Sequence, residues 1–580
     1  MCGNSAPTVP ASRSRTSAWV CLVMCMGALF ALAGAFYLGD IGKTRDDYTW
    51  AVNDPVTGVV AIFDLWRLPL FWRPLSLVIV RHLVSLTWEV PWIANILTSI
   101  AYLGLSVAVW RWFRSFGFVL AAGAGAMLLL CLPMAFDVMH WPAAMPTALG
   151  GIIVVFIAHR VIKLQADDRS LGASGFIAVL VFVACCLNEQ AVACIGGVAL
   201  VPLFVQGSWA RRIRSTVAWG AVLVIPGLLY VLLVSFTAPS THRGGVSTFV
   251  AAGAWPGRTI VILAQAWSQL VGPHGRDLML GGLKTGLPTL GVAGTVLVVI
   301  ALAAGLVWAW KTPRALDRQI GPRSPVLFVL GLSWAGLGLS PFILVQTGPV
   351  EARHVVLPVI GLLLAFFALL DWCFRRVPDR ASDTLARVAT SLAVVLACVG
   401  AVSLVGIQTT LRERYRMDMQ EAQAIAALYP APEPGAVILI ARSSWREAST
   451  GYKHYDMRFW SAWQMDHIAT AVLRHQYRRD DIFAKHRFSM AFGVDDNHVD
   501  DQGWTTGLSS GPAWDGGRLS PRLIPWQRVL GVRIRDDGAA VPINALVFVQ
   551  QGKGSTRVEL TAVVPSEHAH APESFQVRLR

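Results

Sequence analysis

Charge is what this sequence has least of. Only 14% of its 580 residues are Asp, Glu, Lys or Arg, against about 25% in a soluble globular chain. That shortfall excludes a soluble cytosolic enzyme, and the long apolar runs exclude a disordered or fibrous chain. Its nine cysteines are absent from the polar C-terminal part, and no CxxC or Cys/His spacing suits zinc. Neither a disulfide framework nor a structural metal is expected. The C-terminal part shows no internal repeat.

What the chain does have is apolar length: 54% of residues come from the set AVILMFWYC, in recurring runs of about twenty, the thickness of a bilayer core. The expected class is a polytopic α-helical membrane protein. Apolar spans fall near 18–38, 93–112, 117–135, 142–159, 173–187, 190–206, 215–237, 285–309, 325–346, 354–374 and 387–407, about eleven in all. Ala31-Leu32-Ala33 resembles a signal-peptide cleavage site. The run is longer than an h-region of roughly 7–15 residues, so an uncleaved anchor is expected.

The net charge of +14 sits in short clusters between the runs, which is the pattern of positive-inside topology and not of a nucleic-acid-binding face. Arg111/Arg114, Arg160/Lys163, Arg211/Arg212/Arg214, Lys311/Arg314/Arg318/Arg323 and Arg375/Arg376/Arg380/Arg387 occupy alternate loops. The N-terminus is therefore expected in the cytoplasm of a bacterial-type inner membrane. An odd number of spans places the C-terminal region in the periplasm or its equivalent. The expected division is a membrane domain over 1–409, its first outside loop at 39–92 carrying interfacial helices, and a small outer α/β domain over 410–580. In that tail, Met417–Leu428 and Trp460–Tyr477 have helical periodicity. Ala436–Arg442, Asn544–Gln550, Thr556–Pro565 and Ser574–Arg580 read as strands. Trp463, Trp504 and the other tryptophans of the tail are expected as core side chains more than as a sugar-stacking platform. The run Val494–Asp501 reads as a solvated acidic turn, because its spacing fits no EF-hand. Ala122-Gly123-Ala124-Gly125 lies inside a span and predicts close helix packing.

Ionisable groups at the membrane cost roughly 2–4 kcal/mol unless paired or wet, so each is a functional candidate. On the side assigned as outer these are Asp46 and Asp47, Arg73, Arg81 and His82, Asp137 with His140 and Trp141, Glu189 after Asn188, and Glu351 with Arg353. Arginines suit phosphate oxygens, and a carboxylate suits deprotonation of a hydroxyl.

The order of these features resembles the GT-C superfamily of integral-membrane glycosyltransferases, above all the dolichyl-phosphate-mannose-dependent protein O-mannosyltransferases and their bacterial relatives. The resemblance rests on the acidic pair Asp46-Asp47, the segment Trp72-Arg73-Pro74-Leu75, and the turn Pro133, Asp137, Trp141. Asn188-Glu189 and the step Arg353-His354 leading to Pro358 complete it. Here Asp137 stands where the family has glutamate, Asn188 where it has lysine, and His354 where it has tyrosine. The resemblance covers roughly residues 1–375 and implies transfer of a sugar from a polyprenyl-phosphate donor to an acceptor hydroxyl of a glycan, lipid or protein, with inversion. It implies Asp46 as base with Asp47 assisting, and Arg353, Arg73, Arg81 and His82 on the donor phosphate. Asp137, His140, Trp141, Glu189 and Glu351 are then expected around the substrate or behind those groups. No cofactor is demanded; a divalent cation, Mg2+ or Mn2+, on Asp46, Asp137 and Glu189 is compatible with the residue types. Membrane lipids are expected partners and nucleic acid is not. The alternative is a transporter or flippase of lipid-linked or small substrates, which places its charges near the bilayer midplane on broken helices. A ligase or polymerase using lipid-linked oligosaccharide and a non-catalytic assembly protein are further readings.

Overall fold

The computed structural model describes residues 11–42, 75–76, 78–80, 83, 90–166, 174–204, 208–237, 252–312, 324–344, 350–442, 463, 466–486, 498–499, 502–506, 522–535, 537–550, 554–560 and 573–579. Its first part is a helical bundle: α1 (Ala11–Ala33), α2 (Pro91–Ser115), α3 (Val119–Cys131), a four-residue α4 (Phe136–Met139), α5 (Met145–Ala166), α6 (Ser174–Leu187), α7 (Glu189–Ile195), α8 (Trp209–Thr237), α9 (Trp255–Leu270), α10 (Pro273–Thr289), α11 (Gly291–Lys311), α12 (Ser324–Leu344) and α13 (Ala352–Phe374). A 50-residue helix, α14 (Asp379–Leu428), follows. It crosses the expected boundary at 409/410 without a break.

Among the described residues, eight helices are long and apolar enough to cross a membrane, or nine when Val119–Cys131 and Pro133–Met139, bent by 61°, count as one. The chain is thus a multi-pass α-helical membrane protein. The expected eleven stands at nine by length, because shorter apolar helices occupy two of the expected places. Residues 173–187 form the 14-residue α6, about 21 Å long at 1.5 Å per residue against a core of about 30 Å. Residues 190–206 form α7 and a 3-10 stretch, Gly196–Phe204. Extended backbone at Asn188 (φ −162°, ψ 108°) ends one helix and caps the next. The run expected as one span at 285–309 is broken at Gly291, whose φ is +56°. It is divided between α10, which packs along α14, and α11, which packs along α1.

Hydrophobic burial does not drive helix association inside a bilayer, so close approach of backbones does. Gly331 of α12 and Gly361 of α13 face each other's carbonyls so closely that a Cβ on either would collide. Gly123 leaves room for the Trp308 ring and Gly125 for Phe113 and Phe367, the packing role expected of that small-residue run.

The second part is built on β1 (Val437–Arg442), α15 (Asp466–Tyr477), β2 (Phe483–His486), β3 (His498–Val499), β4 (Gly503–Thr506), β5 (Arg522–Pro525), β6 (Val529–Ile534), β7 (Ala540–Gln550), β8 (Gly554–Glu559) and β9 (Glu573–Leu579). The larger sheet runs β2-β1-β6-β7-β8, with β9 also on β7; β3-β4-β5 form a second. Strand β1 is parallel to both β2 and β6. Its alternation divides the core: Ile438 and Ile440 pack with the end of α14, α15 and Trp463, while Val437, Leu439 and Ala441 pack with Trp504 and Ile524. Both tryptophans are core side chains. The four expected strands are present within one to four residues where described. The strand β6 was not expected, because Gly531 interrupts its apolar run; that glycine lies against Ile543, where a Cβ would crowd it. Of the run Val494–Asp501 only His498 and Val499, in β3, are described.

Candidate functional site

The first turn of α13 organises the polar end of the bundle. Four backbone N–H groups at a helix start have no partner within the helix, so side chains must supply acceptors. Glu351 is the N-cap, and its carboxylate accepts the His354 N–H. A second carboxyl comes from far away in sequence: Asp137, fully buried on α4, accepts the Arg353 N–H at 2.8 Å. A carboxylate there also meets the positive end of the helix dipole.

The Arg353 side chain lies among the same groups. Its Nη2 is 2.9 Å from Glu351 Oε2, and its guanidinium lies over the Trp141 ring, 4.6 Å from the centroid. The side chain retains 23% exposure, so it is held yet open on one side. His354 stacks on Phe342 at 4.6 Å. Its Nδ1 faces the Glu351 N–H and its Nε2 faces Arg353 Nε, both at 3.1 Å. A neutral imidazole accepts at one nitrogen only, so these two bonds belong to alternative tautomers.

Three further elements fix this turn. Gln190, beside Glu189 at the start of α7, donates to the carbonyls of Gly338 and His354. Its N–H is accepted by Asn188, which donates to Thr147 of α5. From α9, Arg258 donates to the Phe342 carbonyl, and Gln265 and Gln269 bond the N–H and carbonyl of Val350.

The exit of α1 is at the same end. His140, next to Trp141, bonds the Ala33 carbonyl at 2.8 Å. Gln408 of α14 donates to the carbonyls of Leu32 and Ala33, and Ser99 of α2 donates to Met139 O. Asn95 donates to the carbonyls of Gly39 and Gly42. His140 lies in the turn between two spans, and burial pushes its pKa down to about 4, so the ring is neutral.

Asp137, Trp141, Glu351 and Arg353 are therefore brought into direct contact, with His140 adjoining them through α4 and the exit of α1. The backbone of Glu189 starts α7 beside Gln190; its side chain lies outside the described residues. So do Asp46, Asp47, Arg73, Arg81 and His82. Gln190, His354, Asp40 and Arg412 were not on the sequence list of site residues. Asp40 had a usable signal, an ionisable group at the end of an apolar run; Gln190 had only its position beside Asn188-Glu189. Among the described residues no three of His, Cys, Asp and Glu lie close enough to hold a cation. Of the candidate ligands Asp46, Asp137 and Glu189, only the Asp137 side chain is described, with one oxygen committed to α13.

Neither a protein-family model nor a curated protein matches the chain. Among solved structures the chain is similar to ArnT from Cupriavidus metallidurans bound to undecaprenyl phosphate, at 14% identity, over 81% of this chain and 85% of that one, with a TM-score of 0.33. A score this low leaves fold and activity to be argued from the chain itself.

Proposed function

We propose that the chain is a glycosyltransferase that moves a sugar from a polyprenyl-phosphate donor to an acceptor hydroxyl at the outer face of the membrane, with inversion at the anomeric carbon. The observation that carries this reading is the contact of Asp137, Trp141 and Glu351 with Arg353. Stretches of chain up to 216 residues apart meet at the end of the bundle where α1 hands over to the segment containing Asp46. The motif resemblance orders these residues along the chain, and their convergence is what a single site requires.

In this reading Asp46 removes the acceptor proton as the new bond to the anomeric carbon forms, and Asp47 orients it. From Gly42 the four intervening steps of chain reach about 14 Å at most, so the acidic pair is tethered to the exit of α1. The departing phosphate gains charge that guanidinium groups stabilise. Arg353 alone does not suffice, since the carboxyls of Glu351 and Asp137 lie beside it. The proposal therefore needs Arg73, with Arg81 and His82 behind it, to make the donor site cationic. Asp137 holds the backbone of α13 and acts on Arg353 through that helix. A divalent cation on Asp46, Asp137 and Glu189 remains part of the proposal only if chelation with EDTA abolishes transfer.

The test uses the full-length protein in lipid nanodiscs with radiolabelled polyprenyl-phosphate hexoses, measuring release of polyprenyl phosphate. Asp46→Asn should lower turnover by about a thousandfold while leaving expression and insertion unchanged. Full activity in that variant overturns the assignment. The transporter reading draws on the break at Asn188 between α6 and α7; substrate movement across sealed vesicles without release of polyprenyl phosphate would favour it.

A further inference from the structure

One face of α14 holds the whole exit of α1. Gln408 takes the carbonyls of Leu32 and Ala33, and Thr409 bonds Tyr37 Oη at 2.9 Å. Arg412 reaches Asp40 Oδ2 through both Nε, at 2.9 Å, and Nη2, at 2.5 Å, and lies over the Tyr37 ring, 4.5 Å from its centroid. Arg416 is 3.7 Å from the same oxygen. One turn further along, the Tyr415 ring packs so tightly on Gly42 (φ +78°) that no side chain fits there. Residues 408, 412, 415 and 416 recur at helical spacing, so they lie on one side of α14.

The same helix is fixed at its far end. The Arg414–Asp418 pair is buried, Glu421 accepts from Trp463 Nε1 at 2.6 Å, and Ala422, Ile425 and Leu428 are in the apolar core against the sheet. A buried ion pair contributes little net stability, because desolvation offsets the attraction, but it defines which arrangement is adopted. An unbroken helix thus runs from the sheet to the last described residues before Asp46 and Asp47.

We infer that Asp40 and Arg412 form a latch that positions the segment carrying the acidic pair, with α14 as the fixed support. They are positioning residues: neither need touch substrate, and the effect of the latch on turnover rests on the glycosyltransferase reading given above. A half-exposed ion pair is too weak to hold the fold together, yet a displacement of about 1 Å at a reacting carboxylate costs up to about a hundredfold in rate. Losing the latch should therefore change local order and turnover more than global stability.

The experiment compares full-length wild type, Asp40→Asn, Arg412→Gln and the exchanged double variant Asp40→Arg/Arg412→Asp in nanodiscs. Amide hydrogen exchange over residues 39–50 should speed up about tenfold in each single variant and return toward wild type in the exchanged pair. In the polyprenyl-phosphate hexose assay, kcat should fall about tenfold or more in the single variants with KM for the donor unchanged, and recover in the exchange. Unchanged amide exchange in both single variants overturns the latch, as does an exchanged pair that restores neither readout. A raised KM with kcat intact would make these residues donor contacts and also overturn it. The exchange readout needs no substrate, so it stands apart from the Asp46→Asn test: loss of one reading leaves the other measurable.

Discussion

The two ends of the helical bundle use charge in opposite ways. At the basic end, arginines pair with groups on their own helix or the next: Arg114 lies 4.8 Å and 5.4 Å from the Trp19 and Trp110 rings, and Arg376 lies 3.7 Å from Trp372. Arg375 and Arg387 take the i−4 carboxylates Asp371 and Asp383. Much of that surface is exposed, and it matches an interface of basic and aromatic anchors. At the polar end, Asp137 and His140 are buried and bond backbone groups on other helices. Charge at the first end places the protein in a membrane. Charge at the second fixes where helix ends meet, and only there does the arrangement confine a reactive geometry.

This contrast can be broken by substitution. The largest effect should follow Asp137→Ala, which leaves the first turn of α13 without its buried acceptor. Stability should fall by about 2–3 kcal/mol, read by thermal unfolding in detergent, whereas Asp383→Ala at the basic end should cost under about 0.5 kcal/mol. Comparable losses would mean the two ends do not differ.

Next in size is a pH effect. His140 has a folded-state pKa lowered to about 4, below its ordinary 6.5, so the unfolded chain takes up its proton first. Stability is full above about pH 7 and is lost as the pH falls from about 6.5 toward 4, by about 2 kcal/mol at pH 5. His140→Gln should remove that part of the pH dependence; an unchanged profile would show that the ring is not held neutral.

A smaller effect is expected from Trp141→Ala, which removes the ring beneath Arg353. Donor affinity should weaken about tenfold, measured by equilibrium binding of a labelled polyprenyl phosphate. Trp372→Ala, which removes the ring beneath Arg376 at the other end, should leave it unchanged. The smallest change is expected from Arg376→Ala, within about 0.5 kcal/mol of wild-type stability, checked by the same unfolding measurement.

How much of this was legible depends on sequence distance. The basic end was readable because its partners are i and i+4 neighbours, such as Asp371 and Arg375, and because arginine clusters alternate with apolar runs. The apolar spans followed from length alone, except where α6 and α7 are cut short at Asn188, a break whose meaning depends on Thr147 from another helix. In the tail, alternating runs announced β1 and β7, while β6 was hidden by Gly531, whose use is apparent only against Ile543. At the polar end Asp137, Trp141, Glu351 and Arg353 stood out as costly residues in apolar surroundings. Nothing in their spacing says that Asp137 bonds the backbone of Arg353, or that Arg412 closes on Asp40 from 372 residues away.

By itself, then, the sequence determined that the chain is a multi-pass helical membrane protein and which ionisable residues are too costly to be incidental, since both follow from the free energy of placing each side chain in lipid or water. Tertiary structure alone decided which of those residues meet. A buried carboxyl must find a donor somewhere in the folded chain, and helix packing, which depends on shape at glycines such as Gly331 and Gly361, sets which backbone N–H lies within reach.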